Sequence, residues 1–294
     1  MAELLIDPKA VAPEISPNDE MYLGGESWYF PVGQSAIDCL DCALKAARKP
    51  ISSVQRILDL PCGHGRVLRY LRAAFPQAEI TACDLLRDGV DFCAKTFGAI
   101  PVYSQDEPSR IPIPPESFDL IWVGSLLTHL DQDRWRGFLT AFRSFLRPGG
   151  VLVFTSHGHG AYQRMLAGPD YFAITEQQKL LILDRYARQG FGYVQYPPLE
   201  GYYGLSLAKP TWVIDCIREF EDLKVALLSE KGWADFHDIY ACVRDDSWHI
   251  QSPVVPRRLV FAARYRKQIA SIRRRVRLRT RLRAAYHAIK AQCR

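Results

Sequence analysis

From about residue 50 onward, short apolar runs alternate with stretches whose apolar positions recur every three or four residues. The runs Arg56–Leu60, Glu79–Asp84, Phe118–Gly124 and Val151–Ser156 are short and bounded by turn residues, and they read as strands. The stretches His64–Phe75, Leu86–Phe97 and Gln132–Leu146 read as helices. Pro148-Gly149-Gly150 is expected to stop the last helix and turn the chain into the next strand. Strands alternating with helices imply a parallel sheet covered on both faces. Upstream, Pro31–Ala47 reads as a helix capped by Ser35, with Ile37, Leu40, Leu44 and Ala47 on one face.

The rhythm breaks between His157 and Pro210, which hold seven of the fourteen tyrosines: 162, 171, 186, 193, 196, 202 and 203. This stretch reads as an inserted lid. Beyond it, Thr211–Phe220 looks helical, and Leu223–Leu228 and Asp238–Arg244 look like two closing strands separated by Ser229–His237. In the last segment, Tyr265, Ile269, Ile272 and Val276 follow a helical spacing. Leu278, Leu282, Ala285 and Ile289 continue it, shifted around the helix, with arginines on the other faces. The expected organisation is an N-terminal cap (1–50), a core (51–156), the tyrosine-rich lid (157–210), closing elements of the core (211–250) and a basic helical tail (251–294).

Composition narrows the class. The 294 residues are 48% hydrophobic and 24% charged, as in a globular chain and unlike a disordered one. No run approaches the ~18 apolar residues of a membrane-spanning helix. Residues 1–20 lack the basic-then-apolar pattern of a secretory signal, so the expected location is the cytoplasm. The eight cysteines then read as reduced thiols rather than a disulfide framework. Cys39 and Cys42 form a C-x-x-C pair, but no second pair completes a zinc site, so no metal is expected.

The net charge of +6 hides an asymmetry. Residues 257–294 hold 14 of the 38 Lys and Arg and no acid, which leaves 24 bases against 32 acids in the remainder. The basic tail has three readings: peripheral contact with anionic membrane, contact with nucleic-acid phosphate, or a solvated helix that packs on the acidic body or on an assembly partner. Nucleic acid is the least favoured partner.

The sharpest chemical signal is Ile57-Leu58-Asp59-Leu60-Pro61-Cys62-Gly63-His64-Gly65-Arg66, an apolar strand ending in an acid and followed by a tight glycine turn. Such a turn lets backbone approach a ligand at the carboxyl end of a parallel strand. The dinucleotide pattern Gly-x-Gly-x-x-Gly fails, because its third glycine falls on Leu68. A second acid, Asp84, ends the next strand 19 residues after Gly65, where a carboxylate can accept ribose hydroxyls.

The loop, Asp84, Ser117-Phe118-Asp119-Leu120-Ile121-Trp122 and Arg147-Pro148-Gly149-Gly150, in that order, resemble the class I S-adenosylmethionine-dependent methyltransferases. The small-molecule branch that includes ubiquinone-biosynthesis-like enzymes is the most similar. Pro61 stands where the family's loop has its first glycine. The resemblance implies an α/β fold: a Rossmann-like seven-stranded methyltransferase sheet, its last strand antiparallel, here with an inserted lid and a basic C-terminal helix. It implies S-adenosyl-L-methionine as cofactor, its methionine part near Asp59, Pro61, Gly63 and Gly65 and its ribose on Asp84. The adenine would lie near Leu85, Gln105 and Asp106, and Gly124 and Ser125 would face the sulfonium.

The implied activity is methyl transfer to a small-molecule or glycan-like acceptor, at oxygen and in line. A hydroxyl acceptor needs a base, and histidine suits that at neutral pH. His129, after the fourth strand, is the first candidate, followed by His157 after the fifth, with Tyr203 of the lid as an acceptor contact. Two alternatives remain: an RNA methyltransferase that uses the arginine-rich tail, and a non-catalytic scaffold that binds the cofactor.

Overall fold

The computed structural model describes residues 3–168, 173–196 and 203–245. Tyr171, Tyr202 and the basic helix expected within 251–294 lie outside the described residues. Among the described residues there are nine strands: β1 (Arg56–Asp59), β2 (Glu79–Asp84), β3 (Ile100–Tyr103), β4 (Phe118–Val123), β5 (Leu146–Ser156), β6 (Phe191–Gln195), β7 (Gly204–Ala208), β8 (Leu223–Trp233) and β9 (His237–Arg244). Seven α-helices accompany them among the same residues: α1 (Glu26–Ala46), α2 (Leu68–Ala74), α3 (Arg87–Phe97), α4 (Gln132–Phe145), α5 (His159–Ala167), α6 (Glu176–Gln189) and α7 (Pro210–Arg218).

Seven strands form one sheet in the order β3-β2-β1-β4-β5-β9-β8. β1 to β5 are mutually parallel, and β9 runs antiparallel to both β5 and β8, as expected for the last strand. Alternation of side chains puts a separate core on each face. Ile57, Ile80, Leu120, Trp122, Val151 and Val153 join residues of α1, α2 and α3 on one face. Leu58, Cys83, Ile121, Val123, Leu152 and Phe154 join α4 and α7 on the other. With both faces apolar, the central strands are continuous hydrophobic runs, and they align so that all five parallel carboxyl ends lie along one rim.

Several element boundaries differ from expectation; β8, for one, runs on to Trp233, past the expected end at Leu228. α1 begins at Glu26, after Gly25, so Pro31 lies inside the helix. A proline there forfeits one intrahelical hydrogen bond. Burial of Tyr29, Val32, Ala36, Ile37 and Leu40 on one stripe offsets that loss. Ser35 is therefore not a cap; it sits within the helix, and its hydroxyl donates to the Val32 carbonyl at 2.8 Å. α2 starts at Leu68 rather than His64, because Gly63 and Gly65 have φ of +50° and +81°, which no right-handed helix accommodates. α4 stops at Phe145, before Pro148, and β5 already begins at Leu146. Pro148-Gly149-Gly150 instead forms the irregularity at which the β4–β5 pairing jumps from Phe118↔Leu146 to Leu120↔Val151.

The insertion is built from α5, α6 and a two-stranded antiparallel ribbon, β6–β7. Thr175 and Gln178 form a reciprocal capping box that starts α6. Ile182, Leu183, Tyr186, Val194, Leu205 and Leu207 make a small core of their own. The ribbon is tied to the segment after β4: the Ser206 hydroxyl donates to the Leu127 carbonyl at 2.8 Å. The ribbon thus contacts the chain just after β4 and, through the Ala208 N–H to the His157 carbonyl at 2.9 Å, just after β5.

Candidate functional site

β1 and β2 end side by side in Asp59 and Asp84. Between them the loop 60–67 is pinned by its backbone. Leu60 N–H donates to the Trp122 carbonyl at 3.1 Å and Cys62 N–H to the Cys83 carbonyl at 3.0 Å. Gly63 N–H donates to Asp84 Oδ2 at 2.7 Å, and Leu86 N–H to Asp84 Oδ1 at 3.0 Å. Asp84 therefore fixes both the glycine turn and the entry to α3. His64 reaches back to Asp88 Oδ2 at 3.1 Å, which holds the Asp88 carboxyl below its ordinary range.

Gly65 is the position that the turn requires. Its φ is +81°, and a Cβ there would lie 2.4 Å from Cε2 of Phe97. At Gly63, by contrast, a Cβ would meet nothing within 4 Å, so this glycine borders open space.

The two acids are not equivalent. Asp59 is 1% exposed, and its Oδ2 has no hydrogen-bond partner. Burial, followed by the charge of Asp84, pushes its carboxyl well above the usual range, and Arg66 opposes this. A buried acceptor atom left unpaired costs free energy, so this oxygen is a site that a ligand's donor or cation would complete. Burial also raises the Asp84 carboxyl, against the backbone N–H groups that lower it. Next to Asp84, Leu85 and Leu86 expose 56% of their surface each, an apolar ledge between β2 and α3. Ser104 N–H donates to the Asp84 carbonyl at 2.8 Å, and Gln105 and Asp106 follow it, exposed, on the same side.

These residues fit S-adenosyl-L-methionine: a buried carboxyl oxygen without a partner for an ammonium, a second acid at the end of the neighbouring strand for ribose hydroxyls, open space over a glycine, and exposed leucines for adenine. Of the positions named from the sequence, Asp59 and Asp84 end β1 and β2, Pro61, Gly63 and Gly65 lie in the loop between β1 and α2, Leu85 follows β2, and Gln105 and Asp106 follow β3.

The segment after β4 forms the other wall. Ser125 has φ +64°, an uncommon conformation for a residue with a side chain, and its N–H donates to Thr155 Oγ1 at 2.8 Å. Gly124 precedes it against Trp122 and Trp233. His129 follows. Its Nδ1 lies 2.9 Å from the carbonyl of Gly204, in the β6–β7 ribbon, and 3.3 Å from the Tyr196 hydroxyl. Tyr203 stacks on its ring, with centroids 4.5 Å apart and planes 23° apart. Burial lowers the His129 pKa below the ordinary imidazole value.

His157 lies 6.5 Å from His129, centroid to centroid. It is 4% exposed and stacks on His237 at 4.9 Å, with Phe236 against it at 5.0 Å. Burial, then the neighbouring charge of His237, puts its pKa well below 6.5, and burial brings that of His237 to about 3. Both rings are neutral at physiological pH. The sequence reading missed His237, Tyr196 and Arg66. The signal for His237 was available: a strand that returns antiparallel must start at the rim where the parallel strands end. Among the described residues, no group of three or more His, Cys, Asp or Glu is placed to hold a metal ion. No helix of the described residues is long and apolar enough to cross a membrane.

A family model described as a methyltransferase domain matches residues 57–150. A fatty-acid O-methyltransferase of Mycolicibacterium smegmatis is 33% identical over 102 residues, which is 34% of this chain and 36% of that protein. A malonyl-[acyl-carrier protein] O-methyltransferase of Halalkalibacterium halodurans is 25% identical over 201 residues, 65% of this chain and 68% of that one. The chain thus matches little more than a third of the fatty-acid relative. Among solved structures, a protein of Pyrococcus horikoshii superposes with a TM-score of 0.51 at 13% identity, covering 77% of this chain and 99% of that one. An S-adenosylmethionine-dependent methyltransferase of Clostridium acetobutylicum gives 0.50 at 15% identity, covering 74% and 92%. At these identities the two structures speak to the fold.

Proposed function

We propose that this chain, whose residues 57–150 match a methyltransferase-domain model, is a class I S-adenosylmethionine-dependent methyltransferase that methylates an oxygen of a small-molecule acceptor, with His129 as the base. The observation that carries this reading is the hydrogen bond between His129 Nδ1 and the Gly204 carbonyl at 2.9 Å. A carbonyl can only accept, so Nδ1 holds the proton of the neutral ring and Nε2 keeps its lone pair. Nε2 makes no hydrogen bond among the described residues. A neutral imidazole oriented by a backbone carbonyl, with its second nitrogen available, is equipped to take a proton from an acceptor hydroxyl.

When bound, S-adenosyl-L-methionine supplies an electrophilic methyl group, so the protein's own tasks are to bind, orient and remove a proton. Asp59, Pro61, Gly63, Gly65 and Asp84 would hold the donor's amino-acid and ribose parts. Leu85, Gln105 and Asp106 would border adenine, and Gly124 and Ser125 would wall the reacting centre. Tyr203 and Tyr196 hold the His129 ring in place and offer the acceptor flat apolar surface. His157 is too buried to meet a substrate directly; neutral and stacked on His237, it backs the wall behind His129.

The aromatic wall suits an amphipathic or apolar acceptor. Proteins similar to this chain include the fatty-acid and malonyl-[acyl-carrier protein] O-methyltransferases named above and a phthiotriol/phenolphthiotriol dimycocerosates methyltransferase of Mycobacterium leprae, which favours the same class here. The test is transfer of labelled methyl from S-adenosyl-L-methionine into separate pools of fatty acids, hydroxylated lipids, glycans and RNA. Label in a small-molecule pool, lost with His129→Ala, is the expected result. Label in RNA alone, or in no pool despite donor binding, would reject the reading.

A further inference from the structure

The turn after β4 is strained at one residue and closely tied around it. Ser125 has φ +64°, in the left-handed region that disfavours a residue with a Cβ. Such a conformation persists where its surroundings over-determine it, and it tends to mark a working part of a molecule. Three hydrogen bonds hold it here. Ser125 N–H donates to Thr155 Oγ1 at 2.8 Å, and the Thr128 hydroxyl donates to the Ser125 carbonyl at 2.8 Å. With its one proton so used, Thr128 Oγ1 accepts from the Ser125 hydroxyl at 3.2 Å. Thr155 and Thr128 are both fully buried.

Strand register brings Thr155 to this turn. Val123, the last residue of β4, pairs with Phe154 of β5, so Thr155 stands beside the point where the chain leaves the sheet. The Ser125 N–H lies beyond the backbone ladder and meets a side-chain oxygen instead. The left-handed residue turns the chain out of the line of β4, and His129 follows four residues later. Between them the Leu127 carbonyl accepts from Trp135 Nε1 at 2.7 Å and from the Ser206 hydroxyl at 2.8 Å. The far end is fixed by the bond from His129 Nδ1 to the Gly204 carbonyl. Without the Thr155 oxygen, Ser125 N–H would lose its acceptor and the extended region would again be favoured. The start of the turn would then shift, and with it the ring that ends it.

We propose that Thr155, together with Thr128, is a positioning residue for methyl transfer: the two hold Ser125 in its left-handed conformation and thereby set where the His129 ring stands in the cleft. This rests on reading His129 as the base. Neither threonine has to touch donor or acceptor to act in this way. A base works only within hydrogen-bond reach of the proton it takes, and a displacement of about 1 Å can lower a rate by about 100-fold.

Thr155→Val keeps the shape of the side chain and removes the acceptor, whereas Thr155→Ser keeps the acceptor. Imidazole nitrogen NMR reads the tautomer of His129 without any ligand, its signal being the one missing from His129→Gln. Wild type and Thr155→Ser should show the proton on Nδ1, and Thr155→Val should show a mixture of the two tautomers. Turnover into the labelled small-molecule pool should fall by roughly 10- to 100-fold in Thr155→Val and recover to within about threefold of wild type in Thr155→Ser. S-adenosylhomocysteine affinity, read by calorimetry, should stay within about threefold throughout, and the double variant Thr155→Val/His129→Gln should be no slower than His129→Gln alone. A folded Thr155→Val with the wild-type tautomer and turnover would overturn the proposal. So would a loss of nucleoside affinity as large as the loss of turnover, or a double variant slower than His129→Gln by the full Thr155→Val factor. If Thr155→Val does not fold, Thr128→Val is read by the same measures, and wild-type tautomer and turnover there would overturn the proposal equally. Full turnover in His129→Gln would instead reject the base reading, and the positioning role with it.

Discussion

Asp238 offers a perturbation whose size and sign both follow from the structure. It is fully buried at the start of β9, beside His237 and under the root of α5. Oδ1 accepts the Lys231 N–H at 2.9 Å, while Oδ2 has no partner and lies so close to Gly158 that a Cβ there would sit 1.7 Å away. Burial pushes the carboxyl up to about 7; the Lys231 N–H opposes this and the charge of Glu230 adds to it. In the unfolded chain the same group titrates near 3.9. The native state therefore favours the protonated form. Its contribution is intact below about pH 4, is lost as pH rises toward 7, and changes no further above that. About three pH units at 1.36 kcal/mol each make the loss about 4 kcal/mol.

Asp238→Asn keeps the shape and one acceptor for Lys231 N–H but cannot ionise. Thermal and urea unfolding of both proteins at pH 5 and pH 8.5 isolates the effect, because the neutral histidines His157 and His237 are common to both. The variant should be no more stable than wild type at pH 5 and should gain on it by about 2–4 kcal/mol at pH 8.5. A stability difference that is the same at the two pH values would refute the assignment of a neutral carboxyl under α5.

Three further expectations concern the cleft. Asp84→Asn can accept only one of the two backbone N–H groups now held by its carboxylate, so S-adenosylhomocysteine affinity should fall by about 1–3 kcal/mol, read by calorimetry; unchanged affinity would remove Asp84 from the site. Gly65→Ala forces a left-handed residue with a side chain against Phe97 and should cost roughly 2–4 kcal/mol in unfolding free energy, together with donor binding. His129→Gln should lower turnover by roughly 10²–10⁴ while donor affinity holds. Because burial lowers the His129 pKa, wild-type activity should fall only as pH drops below 6.5, and that acidic limb should vanish in the variant. A limb that persists in His129→Gln would assign it to another group.

How much of this was legible in the sequence depended on how local each feature is. β2 was expected at Glu79–Asp84 and is found there, because its apolar run is bounded by a charge at each end. The donor-side acids were legible for the same reason: Asp59 and Asp84 each close a strand. The start of α1 was not, since Pro31 reads as a helix opening, and only the burial of Tyr29 and Val32 against the core shows that the helix begins earlier. The late start of α2 needed the positive φ of Gly65, which spacing alone does not reveal.

The acceptor wall depends on contacts that no local pattern encodes. His129 is oriented by the carbonyl of Gly204, a backbone group 75 residues away that any residue type would supply. His237 reaches the rim only because β9 runs backward through the sheet.

The most direct measurement of the central claim is a crystal structure of the chain with S-adenosylhomocysteine. The account requires the ribose hydroxyls at Asp84, the amino-acid end over Asp59 and Gly63, and adenine beside Leu85. A ligand bound elsewhere, or a cleft that refuses it and accepts a nicotinamide dinucleotide instead, would contradict the account.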